Sequence, residues 1–205
     1  MNRHVVLFAR APQAGRVKRR LARDIGDLPA ARFVRATLAR QIAELARRPQ
    51  WKLWLFITPD TQTGHPAWRS RRPVAVRPQG PGDLGERMLR PLRHLPAGPV
   101  VLVGSDIPEM RASHIVRAFR LLGRCDLVFG PASDGGFWLV GARRTRSLPC
   151  RLFSGVRWSS EHALADACAN IPANLTLGLL DTLDDVDTGA DFRRYLEKCG
   201  HGPVG

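Results

Sequence analysis

The chain has 205 residues, 44% of them hydrophobic, which is enough apolar material to bury one sizeable core. A formal net charge of +14 makes nucleic acid the first partner to weigh, but almost all of this charge is arginine spread along the whole chain, so nucleic acid is disfavoured. The four cysteines form no CxxC pair that would indicate a zinc or redox motif, and no apolar run reaches the roughly eighteen residues of a membrane span, which predicts a cytoplasmic protein.

Predicted strands and helices alternate along the chain. Apolar runs bounded by turn residues predict strands, in chain order, at residues 4–9, 52–58, 73–78, 98–104, two within 125–142, and 175–182. Apolar side chains at three- and four-residue spacing predict helices at residues 29–48, 84–95, 112–123, 159–170 and 188–200. Ser159 or Ser160 is expected to cap the fourth of these helices, and Thr188 with Asp191 the last.

This alternation predicts an α/β protein with one domain over residues 1–205, a three-layer α/β/α sandwich around a mostly parallel sheet. In such sheets, ligands bind outside the carboxyl ends of the strands. The loop after Ala9 and the turn after Gly104 follow buried strands and are rich in charged residues. We therefore expect both to lie at the ligand-binding edge.

The first predicted strand runs into FARAPQAGRVKRRLAR, residues 8–23. Flexible backbone at Gly15 and the cations of Lys18 and Arg20 suit a phosphate-binding loop that leads into a helix. The stretch matches neither an ATPase P-loop nor a dinucleotide fingerprint. Its alternative interpretation is the solvated basic start of a helix, and on local grounds the two are equal.

The strand at residues 98–104 ends in GSDIP, which places Asp106 directly after it. A carboxylate at a strand end, on the same edge as the basic loop, suits Mg²⁺ or Mn²⁺ held against diphosphate oxygens. The alternative is that Asp106 caps a helix that begins near Pro108. We favour the metal ligand.

Three other stretches carry candidate residues with a structural alternative. QGPGDLGERM, residues 79–88, has glycines that let the backbone approach a flat ligand, or it is a turn with Asp83 as a helix cap. SDGGF, residues 133–137, faces a ligand or simply closes a hairpin. DDVDTGADF, residues 184–192, supplies a second metal ligand from Asp184, Asp185 or Asp187, or it only caps the last helix.

Taken in order, six stretches resemble a bacterial family of transferases with the glycosyltransferase-A fold, often labelled radical-SAM/selenodomain-associated transferases. The stretches are FARAPQAGRVKRRLA, QGPGDLGERM, VLVGSDIPEM, GPASDGGFWLVG, GVRWSSEHAL and DVDTGADF. The family is similar to sugar-nucleotide glycosyltransferases and to nucleotidyltransferases that guanylylate molybdopterin or phospholactate. The resemblance spans nearly the whole chain and implies a nucleotide-diphospho-sugar transferase fold.

The resemblance also implies a set of site residues. Nucleotide and phosphate contacts fall on Ala11, Pro12, Gly15, Arg16, Lys18 and Arg20. Base or ribose contacts fall on Gly82, Asp83, Leu84, Gly85 and Arg87, and contacts with the sugar or acceptor fall on Asp134, Gly135 and Gly136. The metal falls on Asp106, and the catalytic residues are Asp106, Lys18 and Asp134.

Two departures from the family pattern bear on this set. The usual Lys-Thr-Arg run is Lys18, Arg19 and Arg20 here, so the contact of that threonine is missing. The familiar Asp-x-Asp metal pair is reduced to Asp106, Ile107 and Pro108, so a second ligand must come from Asp187 or from water.

The expected function is that of a metal-dependent glycosyltransferase that binds a nucleotide-sugar donor and a small-molecule acceptor. Its alternative is a nucleotidyltransferase that uses a nucleoside triphosphate and releases pyrophosphate. Both reactions gain when Lys18, Arg20 and Mg²⁺ or Mn²⁺ lie where negative charge grows on the leaving group. A non-catalytic basic module that binds nucleic acid remains a third hypothesis.

Overall fold

The computed structural model describes residues 2–13 and 18–200. Its strands are β1 (His4–Arg10), β2 (Lys52–Thr58), β3 (Ala75–Pro78), β4 (Val100–Gly104), β5 (Leu127–Pro131), β6 (Phe137–Ala142) and β7 (Leu177–Leu179). Its helices are α1 (Arg19–Ile25), α2 (Asp27–Ala46), α3 (Leu84–His94), α4 (Ala112–Leu121), α5 (Ala163–Ala169) and α6 (Gly189–Lys198). No helix in the described part of the chain is long and apolar enough to cross a membrane.

The strands form one seven-stranded sheet in the order β3-β2-β1-β4-β6-β5-β7. Neighbours from β3 to β4 are parallel, β6 is antiparallel to β4 and β5, and β7 is parallel to β5. The predicted mostly parallel sheet is therefore confirmed.

The central strands are apolar along their whole length because helices cover both faces of the sheet. Alternate residues of β1 face opposite sides: Val5 belongs to the cluster that contains Ile42 of α2, and Val6 to the cluster that contains Leu92 of α3. Each side therefore has its own apolar core, which confirms the three layers.

Strands β1 and β4 end side by side at the carboxyl edge. Phe8 pairs with Gly104, and the backbone N–H of Ser105 donates to the carbonyl of Phe8 at 3.0 Å. The loops that leave these two strands therefore begin next to each other, as the parallel arrangement predicts.

Two predictions about helix starts had different outcomes. Thr188 and Asp191 form the predicted capping box of α6, with the Thr188 hydroxyl accepting from the Asp191 N–H at 3.2 Å. The predicted cap of α5 at Ser159 or Ser160 is wrong, because His162 holds the N-cap position without a side-chain cap. The Ser160 hydroxyl donates to the carbonyl of Arg157 at 2.7 Å and accepts from the His162 N–H at 3.3 Å, so it stabilises the turn before α5.

Candidate functional site

The ammonium group of Lys18 lies among three carboxylates at the carboxyl edge. Lys18 Nζ hydrogen-bonds to Asp187 and lies 3.3 Å from Asp185 Oδ2 and 3.6 Å from Asp106 Oδ2. The Lys18 side chain is 9% exposed, whereas the side chains of the three acids are 40 to 57% exposed. A buried cation thus lies beneath accessible carboxylates, and we call Lys18, Asp106, Asp185 and Asp187 the Lys18 cluster.

Charge and burial shift the pKa values of Lys18 and Asp185. Burial lowers the pKa of Lys18, but the attraction of Asp106, Asp185 and Asp187 outweighs it, so the pKa rises and the ammonium stays charged. Burial raises the pKa of Asp185 to about 6 although Lys18 opposes the rise, and Asp187 adds to it. The cluster thus contains three carboxyl groups around one cation.

The backbone of Lys18 is also unusual. Its φ of 48° and ψ of 53° lie in the left-handed region, and it precedes α1 as a residue other than glycine or asparagine. That conformation costs a lysine about 1 kcal/mol. The ion pairs with the three acids hold the residue in this conformation.

The alternative role of Asp106 as a helix cap is excluded by the local structure. Residues 105–110 form turns, and α4 begins only at Ala112, with Arg111 at its N-cap position. The carboxylate of Asp187 likewise does not cap α6, since Thr188 does so. Both acids are thus available to the Lys18 cluster.

Two clefts meet at the Lys18 cluster. The wide cleft, of about 600 Å³, runs from Phe8 past the acids to Trp158. The cationic cleft, of about 360 Å³, is lined by Arg10, Lys18, Arg19 and Arg20. Both clefts are lined by Arg20, Ser105, Asp106 and Asp187. Acids at this junction can therefore contact ligands in either cleft.

The cationic cleft contains Arg19, the residue that replaces the threonine of the family pattern. Arg10, Arg19 and Arg20 all line it, and none of them forms an ion pair with a described residue. A concave surface with several unneutralised guanidinium groups attracts phosphate.

The wide cleft has an apolar wall beside the acids. Leu84 and Met88 of α3 contribute to it together with Phe137 and Trp158. The rings of Phe137 and Trp158 meet edge to face with their centroids 6.1 Å apart. A ligand in this part of the cleft is therefore in contact with aromatic rings.

The Asp134 turn has the predicted hairpin role, and its contact with a ligand stays a prediction. It joins β5 to β6 as a hairpin turn, and Asp134 Oδ1 accepts from the Gly136 N–H at 2.9 Å. Gly135 has φ of +81°, and a Cβ there would collide with the carbonyl oxygen of Glu161. Asp134 and Gly136 also line the wide cleft.

The glycine-rich segment, residues 79–87, is explained mainly by local structure. Asp83 caps α3: its Oδ1 accepts from the Glu86 N–H at 2.8 Å, and Glu86 accepts in return from the Asp83 N–H at 2.9 Å. Arg87 donates to Gln79 Oε1 at 3.1 Å. Of the described residues in this segment, only Leu84 lines the wide cleft.

Neither cleft is lined by the predicted contact residues Ala11, Pro12, Gly82 and Gly85. Gly82 has φ of +98° in the turn before α3, and Gly85 packs against Phe153 and Trp158. The buried residues Ala11 and Pro12 continue β1, whereas Gly15 and Arg16 are outside the described residues. The ligand contacts assigned to all of these positions stay predictions.

The sequence did not identify Ser105 and Ser133 as individual site residues. Ser133 donates from both its N–H and its hydroxyl to Asp184 Oδ1, at 2.9 and 2.7 Å, and this pair lines the wide cleft. Ser105 lines both clefts. Single serines in loops give no pattern in the sequence, so only their position beside the acids identifies them.

The sequence model of the DUF2064 family, described as an uncharacterized protein conserved in bacteria, matches residues 41–160. No curated protein matches the chain. Among solved structures, a protein of Desulfovibrio desulfuricans G20 assigned as a nucleotide-diphospho-sugar transferase is 26% identical. The two superpose with a TM-score of 0.84 over 97% of this chain and 88% of that chain.

Two more distant structures share the fold. A 4-diphosphocytidyl-2C-methyl-D-erythritol synthase from Anaerococcus prevotii is 10% identical, with a TM-score of 0.59 over 96% of this chain and 98% of its own. Glucosyl-3-phosphoglycerate synthase from Mycobacterium tuberculosis, solved with Mn²⁺, UDP and glucosyl-3-phosphoglycerate, is 15% identical, with a TM-score of 0.54 over 100% of this chain and 82% of its own. The predicted nucleotide-diphospho-sugar transferase fold is confirmed, and the relation to selenodomain or molybdopterin enzymes stays a prediction.

Proposed function

The chain belongs to the DUF2064 family. From that premise we propose that it is a metal-dependent glycosyltransferase that takes a nucleotide sugar as donor. We also propose that residues 1–205 form one domain. One observation carries the proposal: the cationic cleft and the wide cleft meet at Asp106 and Asp187 of the Lys18 cluster. The diphosphate of the donor binds in the cationic cleft, and the transferred sugar and its acceptor bind in the wide cleft.

The charge of the cationic cleft supports binding of the diphosphate. Arg10, Arg19 and Arg20 supply guanidinium groups, which bind phosphate oxygens in pairs. Negative charge grows on the nucleoside diphosphate as it leaves, and cations already in place stabilise it without reorganisation. Arg20 lines both clefts and therefore lies nearest to the bond that breaks.

Two acids of the Lys18 cluster could bind a divalent cation together with the diphosphate. Among the described residues, no three acidic, histidine or cysteine side chains are arranged to hold a metal ion by themselves. Asp106 and Asp187 offer the hard oxygen donors that Mg²⁺ and Mn²⁺ prefer, and Mg²⁺ is often held by one or two carboxylates plus substrate phosphates. Asp106 and Asp187 would therefore hold the metal, with oxygens of the diphosphate as further donors. When bound, the metal would neutralise charge on the diphosphate.

The remaining residues act on the sugar and the acceptor. Asp134 lines the wide cleft and uses Oδ1 to accept from Gly136, so its Oδ2 is the oxygen assigned to an acceptor hydroxyl, as base or as hydrogen-bond acceptor. Phe137 and Trp158 exclude water from the apolar face of the bound ligand. The side chain of Lys18 is only slightly exposed, and its ammonium orients the acids. Lys18 also lines the cationic cleft, where its charge adds to that of the arginines.

A second function, nucleotidyl transfer, is favoured by the number of cations in the cationic cleft. Arg10, Arg19 and Arg20 beside Lys18 supply more positive charge than a diphosphate needs. A triphosphate would use this charge, with pyrophosphate as the leaving group.

The two functions are separated by their products. A thermal-shift panel of nucleotides and nucleotide sugars, with and without Mn²⁺, identifies the ligand, because binding raises the melting temperature by mass action. Release of nucleoside diphosphate from a nucleotide sugar supports glycosyl transfer, and pyrophosphate from a nucleoside triphosphate supports nucleotidyl transfer. Nucleic-acid binding that falls steeply with salt and persists in Asp106→Ala, with neither product formed, would contradict both.

A further inference from the structure

Asp106 lies on a turn, residues 105–111, that is anchored in the core by its other side chains. Ile107 is 5% exposed and Met110 is 1% exposed, and both belong to the apolar cluster on the α2 side of the sheet. The Asp106 side chain, in contrast, is 57% exposed. The position of the Asp106 carboxylate therefore depends on how firmly the backbone of this turn is held.

Two adjacent side chains of α2 hold that backbone. Gln41 is fully buried, and its Nε2 donates to the carbonyl of Ile107 at 2.7 Å. Arg40 donates from Nη2 to the carbonyl of Pro108. The two contacts hold the peptide groups that join Ile107 to Pro108 and Pro108 to Glu109, which are the second and third peptide groups after Asp106.

Fold stability does not account for the polar side chain of Gln41. Its Oε1 is buried and has no hydrogen-bond partner among the described residues, whereas the buried Arg40 Nη1 lies 4.0 Å from Glu44 Oε2 and is part of an ion pair. A buried polar atom without a partner costs free energy that an apolar side chain of the same shape avoids.

The two carbonyls do not need these side chains either. The carbonyl of Ile107 also accepts from the Met110 N–H at 3.2 Å, and that of Pro108 also accepts from Arg111 Nη1 at 2.9 Å. Each carbonyl would therefore keep a partner if the α2 side chain were removed. The contacts from α2 add rigidity to the turn rather than satisfy an otherwise unpaired acceptor.

We propose that Gln41 and Arg40 are positioning residues that hold Asp106 at the metal site by fixing the backbone of its turn. The inference rests on the proposed function, because rigidity at this turn matters when Asp106 binds a divalent cation. Loss of an outer contact that orients a metal ligand weakens metal binding by about 10- to 100-fold.

The test replaces Gln41 by methionine, which keeps the length of the side chain and removes both its donor and its unpartnered oxygen. In Gln41→Met we expect the affinity for Mn²⁺, measured by the electron paramagnetic resonance signal of free Mn²⁺, to fall about tenfold. The melting temperature of the metal-free variant should equal or exceed that of the wild type. The double variant Arg40→Met with Gln41→Met should bind Mn²⁺ more weakly still.

Trp51→Phe is the matched control. Trp51 Nε1 donates a buried hydrogen bond to the carbonyl of Leu45 in the last turn of α2, and among the described residues this bond does not involve the turn that carries Asp106. This variant should lose stability and keep its affinity for Mn²⁺. Unchanged Mn²⁺ affinity in both Gln41→Met and the double variant, together with a loss in Asp106→Ala, overturns the positioning role alone. Unchanged affinity in Asp106→Ala overturns the metal site itself, and with it the basis of this inference.

Discussion

The Lys18 cluster and the glycine-rich segment both lie beyond strand ends, yet they satisfy their polar groups over very different distances along the chain. Asp83 bonds to Glu86, three residues away, whereas Lys18 bonds to Asp187, 169 residues away. A group satisfied within its own turn is explained by the stability of that turn. Groups brought together from distant loops, with part of their surface open to a cleft, need a further explanation, and ligand binding supplies one.

The largest effect is expected from Asp106→Ala. The variant should lose Mn²⁺-dependent nucleotide binding, by about 100-fold or more, because it removes a metal ligand rather than an outer contact. Its fold should stay intact, since the Asp106 side chain is largely exposed. Thermal shift with and without Mn²⁺ measures both quantities. Glu109→Ala, on the same turn, is the control: Glu109 pairs only with exposed Lys198 among the described residues, so Mn²⁺ dependence should persist.

The next effect is expected from Lys18→Met, which leaves the three acids without their cation. Breaking a buried ion pair costs about 3 to 5 kcal/mol, and the exposure of the acids reduces this to about 2 kcal/mol at neutral pH. The loss should shrink as pH falls through about 6, the pKa of Asp185, because Asp185 then takes up a proton and no longer attracts the ammonium. Urea denaturation at two pH values measures it.

Lys198→Met is the control for this comparison, because it removes an exposed ion pair, with Glu109, at 2.8 Å. Such surface pairs contribute less than about 1 kcal/mol. Equal losses of unfolding free energy in Lys18→Met and Lys198→Met would contradict the prediction. They would show that the burial of Lys18 does not strengthen its ion pairs.

A smaller effect concerns pH. The pKa of Asp185 in the folded protein is raised to about 6, so the folded state binds this proton more tightly than the unfolded state. The stability that Asp185 contributes is therefore present in acid and is lost as pH rises from about 4 to about 6, by less than about 2 kcal/mol given its exposure. Asp185→Asn should remove this pH dependence from denaturation curves of the metal-free protein. A slope that is the same in both proteins would contradict it.

The smallest effect is expected from Asp83→Ala, which removes the cap of α3. Loss of a cap costs about 1 kcal/mol. Affinities for Mn²⁺ and for nucleotide should stay unchanged, because the capping box already engages Asp83. A fall in nucleotide affinity larger than this loss of stability explains would show that Asp83 contacts the nucleotide. The glycine-rich segment would then bind ligand as well as stabilise its own turn.

The comparison also shows which predictions local sequence can support. The strand at Lys52–Thr58 and the capping box at Thr188 were predicted correctly, because apolar runs and capping pairs act over a few residues. The cap of α5 was predicted at Ser159 or Ser160, and the structure puts His162 there. A serine before a helix is a weak signal when the same hydroxyl bonds to the turn that precedes the cap.

By itself the sequence determined the order of the elements, the three layers and the meeting of the loops after β1 and β4, because these follow from hydrophobic periodicity and from the rules of parallel sheets. Only the tertiary structure decided which groups surround Lys18. Its ammonium lies among Asp106, Asp185 and Asp187, and its contact with phosphate stays a prediction. The physical reason is that a buried charge takes the partners that the fold brings within a few ångströms, and loops 167 to 169 residues apart leave no local pattern that names them.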